Sequence, residues 1–84
     1  MRLSPNKNLA WRIIEKKAYI LNPEKSELHC LDEVATSAWE LISKKIEFDG
    51  LCDKMCEDYG AAREVIEKDM SEFVQQLREQ SLLE

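Results

Sequence analysis

The sequence predicts a small α+β domain with a three-stranded antiparallel sheet followed by three helices. Three observations carry this. Short runs of β-branched and aromatic residues fill the first third, helical apolar spacing fills the rest, and only two Gly and two Pro punctuate 84 residues. That length makes one domain. A domain of this size buries only about 60% of its unfolded surface, so added area from a partner would matter.

Residues 1–8, with Ser4-Pro5-Asn6-Lys7-Asn8, read as a flexible N-terminus, and residues 9–84 as the folded domain. From Leu9 to Glu15 an extended chain places Leu9, Trp11 and Ile13 on one side, and Ala18 to Leu21 supplies a second strand. Asn22-Pro23-Glu24-Lys25 forms a turn, because Pro presets φ and the Asn side chain can bond the turn backbone. Ser26 to Leu31 returns as a third strand, in which Glu27 and His29 alternate with Leu28 and Cys30. Which set points outward stays open, because Leu31 breaks the alternation.

Asp32 is an N-cap candidate for helix one, expected over 33–44 with Val34, Ala35, Ala38, Leu41 and Ile42 on its stripe. Asp49 is a second cap candidate. It precedes helix two at about 50–59, where Leu51, Met55 and Tyr59 repeat and Gly60 supplies a left-handed stop. Val65, Ile66, Met70, Phe73, Val74 and Leu77 define helix three, about 62–80, with Leu82 and Leu83 folding back. Trp11, Trp39, Tyr59 and Phe73 follow the apolar stripes and read as core or near-core.

The net charge of −5 opposes non-specific nucleic-acid binding, which needs Lys and Arg to neutralise phosphate. No apolar run exceeds Ala18 to Leu21, far short of a membrane span or a signal-peptide core, so a cytoplasmic location is expected. The three cysteines read as free thiols. Cys52 and Cys56 are helix neighbours, but Tyr59 stands where an iron–sulfur triplet would place its third Cys. Small apolar fillers are the better reading, and no metal or other cofactor is expected. The lone His29 has no evident nucleophile or orienting partner, so no catalytic residue is assigned. Asp69 is unusual, a charge beside the helix-three stripe. It implies either a local partner or a polar anchor in a cleft.

Several stretches together carry a family resemblance. They are Asn22-Pro23-Glu24, Leu31-Asp32-Glu33-Val34-Ala35, Leu51-x₃-Met55-x₃-Tyr59-Gly60, Asp69-Met70-x₂-Phe73-x₃-Leu77 and Leu82-Leu83. In this order the chain resembles coenzyme PQQ synthesis protein D (PqqD). More broadly, it resembles the precursor-peptide recognition elements of ribosomally made, modified peptides. It departs in having Asp32 where Asn is more usual and Ser81 where Gly usually closes helix three. The resemblance implies a small winged-helix-like, non-catalytic domain that binds the leader of a precursor peptide and presents it to a radical SAM or other modifying enzyme. It also implies a leader lying between the third strand and the third helix as an added strand. The peptide-binding residues are then Leu28, His29, Cys30, Leu31, Val65, Asp69 and Phe73. No nucleic-acid or membrane partner is implied, and an open sheet edge also permits a homodimer. The competing reading is a DNA-binding winged helix. It is opposed by helix three itself, where Arg63, Lys68 and Arg78 face Glu64, Glu67, Asp69, Glu72 and Glu79.

Overall fold

The computed structural model describes residues 2–84. Strands β1 (Ala10–Ile14), β2 (Lys17–Asn22) and β3 (Glu27–Cys30) form an antiparallel meander in the order β1-β2-β3. Helices α1 (Glu33–Ile42), α2 (Phe48–Tyr59) and α3 (Arg63–Glu79) follow. The β1–β2 hairpin turns on Glu15 and Lys16, both at positive φ (51° and 69°), the pairing that a two-residue mirror-image turn requires. Asn22 works as its position implied: its side-chain oxygen accepts from the Glu24 N–H at 3.1 Å.

On the inner face of the sheet only residues of β2 are fully buried. Ala18 and Ile20 of β2 point into a core shared with Trp39, Ile42, Leu51, Met55, Met70, Val74 and Leu77. Trp39 is fully buried, and Trp11 meets it edge-on at 5.8 Å between ring centroids. Of the four aromatics read as core or near-core, Trp39 alone is fully enclosed; Phe73 is half-buried, and Trp11 and Tyr59 are exposed. In α1 the buried residues are Thr36, Ala38, Trp39 and Ile42, and Val34 is exposed.

Asp32 caps α1, its carboxylate accepting from the Ala35 N–H at 2.8 Å. Helix α2 starts earlier than its second Asp implied. Glu47 is its N-cap residue, and Asp49 lies in the first turn, where a negative charge still complements the helix dipole. Gly60 ends α2 at φ 62°, and its N–H donates to the Cys56 carbonyl at 2.8 Å. Nothing lies within 4 Å of where a Cβ would stand, so conformation rather than space favours glycine there.

The opening segment is tied down along its described part; Met1, also within the expected flexible stretch, lies outside the described residues. Leu3 is only 1% exposed, and its N–H donates to the Ile46 carbonyl at 2.9 Å. Pro5 pairs with Leu83, and the Asn6 N–H donates to the Leu82 carbonyl at 3.0 Å. The segment clamps the C-terminal tail against the core, which is why Leu82 is buried.

The tail itself is set by the end of α3. Ser81 adopts φ 62°, the Leu82 N–H donates to Leu77 (2.8 Å), and the Ser81 N–H donates to Arg78 (3.1 Å). These are the two bonds of a Schellman stop, and its usual apolar contact is the buried pair Leu77 and Leu82. A serine in that conformation is strained by about 1 kcal/mol. Ser81→Gly is therefore expected to raise the melting temperature by about 5 °C, which thermal unfolding followed by circular dichroism would read.

Candidate functional site

The buried polar contact that shapes β3 is a hydroxyl on α1. Thr36 is 2% exposed. Its Oγ1 accepts from the Ala18 N–H at 2.8 Å and donates to the Leu31 carbonyl at 3.3 Å. The Leu31 N–H in turn donates to the Ala18 carbonyl at 2.9 Å. The end of β3 is thus tied to both β2 and α1.

That last bond fixes which peptide groups of β3 face inward. Backbone bonds alternate along an antiparallel ladder. With Leu31 bonded toward β2 and His29 opposite Ile20, the N–H and C=O of Glu27 and His29 also turn toward β2. Those of Leu28 and Cys30 turn the other way. Among the described residues no strand lies on that side, so this edge is open.

Side chains alternate as well. Leu28 stands opposite Leu21 and Cys30 opposite Tyr19, on the outer face, while His29 stands opposite the buried Ile20 on the inner face. His29 Nε2 is buried without a hydrogen-bond partner and lies 3.7 Å from the Glu27 carboxylate. A buried polar atom left in this state is costly unless something else satisfies it.

Beside the open edge runs a cleft of about 350 Å³, lined by Leu28, His29, Cys30 and Leu31 on one side and Phe73, Gln76, Leu77 and Gln80 on the other. Five of the seven residues named from sequence, Leu28 to Leu31 and Phe73, line this cleft. Val65 and Asp69 do not. Both are exposed on α3, two turns and one turn before Phe73 respectively, on the stripe that Phe73, Gln76 and Gln80 continue. Asp69 has neither a cation nor a hydrogen-bond partner among the described residues, so it fixes nothing within the fold. Gln76, Leu77 and Gln80 extend the wall. The signal for them was present in sequence as the spacing i, i+3, i+4 and i+7 from Phe73.

The other charged cluster is structural. Arg63 bridges α2 and α3, pairing with Asp53, with Glu67 at 2.8 Å and with Asp49 at 3.7 Å. Desolvation lowers its basicity, but hydrogen bonds accepted by Glu67 and Asp53 outweigh this and hold the guanidinium above its usual range. One of the basic groups of α3 is thereby engaged by carboxylates rather than presented to phosphate. All three cysteines are free, with Cys52 buried, Cys56 half-buried and Cys30 exposed on the edge. Among the described residues no three His, Cys, Asp or Glu side chains converge to hold a metal, and no helix is long and apolar enough to cross a membrane.

This geometry defines a class: a β-β-β-α-α-α domain whose last strand keeps an open edge beside its longest helix. The chain belongs to the coenzyme PQQ synthesis protein D (PqqD) family, whose model matches residues 17–83. Two solved structures share its fold. TbiB1, determined in complex with the TbiA(beta) leader peptide, has a TM-score of 0.93 at 22% identity, over 96% of this chain and 94% of that one. Lasso peptide synthetase B1, complexed with the leader peptide, has a TM-score of 0.87 at 13% identity, over 98% and 96%. No curated protein matches the chain.

Two outcomes follow from these contacts. Thr36→Val keeps the shape but strands a buried N–H and a carbonyl. It should cost about 2 kcal/mol and speed hydrogen exchange at Leu31. The second concerns Cys52, whose thiol is pushed above its ordinary 9.0 by burial, against the opposing pull of Arg63. A raised folded-state pKa means that the stabilisation is complete below the ordinary thiol pKa. It is lost as pH rises through the folded one. Melting temperature measured against pH should therefore fall less steeply above about 9 in Cys52→Ala than in the parent.

Proposed function

We propose that this chain is a non-catalytic peptide-recognition domain. It binds the leader of a ribosomally made precursor peptide by adding the leader as a strand to β3, and presents it to a modifying enzyme. The observation that carries this is the open edge at Leu28 and Cys30, facing a cleft walled by α3. An unpaired edge offers N–H and C=O groups in the spacing a guest strand needs, and pockets beside it select alternate side chains. Membership of the family supports the reading, and so does the shared fold with two proteins determined together with leader peptides. The modifying enzyme is a radical SAM enzyme or another peptide-tailoring enzyme, acting in PQQ synthesis or a related pathway.

Leu28, His29, Cys30, Leu31 and Phe73 form the proposed binding site, with Gln76, Leu77 and Gln80. Val65 and Asp69 receive the part of the leader that runs beyond the cleft along the α3 stripe. There the unpaired Asp69 carboxylate meets a cation or backbone N–H of the peptide. His29 Nε2 gains the partner it lacks within the chain.

The test takes the leader of a short reading frame neighbouring this gene and titrates it while backbone amide shifts are followed. Shifts should concentrate on Leu28 to Leu31 and on the Val65–Gln80 face of α3. Cys30→Pro removes one edge N–H that β2 does not use, so it should weaken binding about fivefold while the fold survives. A proline at His29 would instead break the β2–β3 ladder. Asp69→Asn should weaken binding by a similar factor. Unchanged affinity in both variants, or salt-sensitive duplex DNA binding instead of leader binding, would overturn the proposal.

A further inference from the structure

The outer face of the sheet carries apolar side chains that nothing in the chain covers. Register sets Ala10, Leu21 and Leu28 in one row across the strands, and Arg12, the half-buried Tyr19 and Cys30 in the next. Cross-strand neighbours on one face stand about 5 Å apart at Cβ, so each row is a line of side-chain contacts. Leu21 is 43% exposed and Leu28 65%. With Ala10, Trp11, Arg12 and Tyr19 they line a shallow concavity of about 270 Å³. Leu28 also lines the cleft beside α3. The apolar row therefore runs up to the open edge and shares its last residue with the cleft.

Edge strands of soluble proteins are usually protected by charge, Pro or a bulge. This one ends its row in an exposed leucine. A strand bonded to the N–H and C=O of Leu28 must set one of its residues opposite, with that side chain on the same face as Leu28. Building on the strand-addition reading above, we infer that the guest carries a large apolar side chain at that position. It continues the row Ala10–Leu21–Leu28 and covers Leu28. The flanking guest residues turn the other way, toward His29, Phe73 and Leu77. Specificity is thus read on the outer sheet face as well as in the cleft. The occupant is an extended peptide rather than a second copy of this chain. Leu28 belongs both to the row and to the cleft beside α3, so the segment that lies in the cleft is the one that covers the row.

Selection of displayed random short peptides on the full chain tests this, with Leu28→Thr and Leu28→Met selected in parallel. Amide protection at Leu28 and Cys30 identifies edge binders, and nuclear Overhauser contacts identify the peptide residue opposite Leu28. That residue should be large and apolar, with serine there weakening binding about tenfold. The preference should collapse toward parity on Leu28→Thr and persist on Leu28→Met. Edge binders indifferent to the residue opposite Leu28 would overturn this inference and leave strand addition standing. A selection that yields no edge binder would remove both. A concentration-dependent dimer abolished by Leu28→Thr would assign the row to a second copy and overturn it as well.

Discussion

A single buried hydroxyl decides where the sheet stops. Thr36 takes the N–H that opens the inner face of β2 and gives its proton to the carbonyl that closes β3. With Asp32 capping the helix that carries Thr36, the chain leaves the sheet and enters α1 within two residues. Strand β3 can therefore be short and still be held at one register. Its outer peptide groups, those of Leu28 and Cys30, take no part in that tie, and among the described residues no strand pairs with them.

The same economy governs the helices. Helix α3 is anchored by Ile66, Met70, Val74 and Leu77 to the core, by Arg63 to α2, and by its Schellman stop to the N-terminal segment. Of the stripe Val65, Asp69, Phe73, Gln76 and Gln80, only Phe73 packs partly against the core. A long helix held on one side and at both ends presents its remaining face as a rigid wall. A binding groove needs such a wall if the guest is not to order its own site at an entropic cost.

Much of this was legible in the sequence. Short runs of β-branched and aromatic residues pointed to the strands, and the Val65-to-Leu77 stripe to α3 within a residue at each end. Asp32 and Gly60 announced their caps because their residue types suit one backbone conformation. The Glu15–Lys16 turn was silent for the converse reason: neither residue favours positive φ, and only pairing of Ile14 with Lys17 enforces it. The clamp by Leu3 was silent too, since one leucine in a polar stretch has no periodicity and its partners, Ile46 and the tail, are remote in sequence. In the site, the β3 residues were readable because the strand was. The α3 wall was readable as spacing from Phe73, but how much of it the cleft uses was not, because that depends on where along a 17-residue helix the strand comes to lie.

The small size of the edge has an energetic consequence. Leu28 and Cys30 together offer two N–H and two C=O groups to a guest. At about 1 kcal/mol net for each hydrogen bond, four bonds give about 4 kcal/mol, which corresponds to millimolar affinity before any ordering cost. A bare backbone therefore cannot hold a guest strand here at useful concentrations. Side-chain burial must supply the rest, and the surfaces able to supply it flank the edge on both faces. Phe73 and Leu77 lie on one face and Leu28 and Leu21 on the other. By the same arithmetic the edge is too weak to pair indiscriminately with the backbone of other chains.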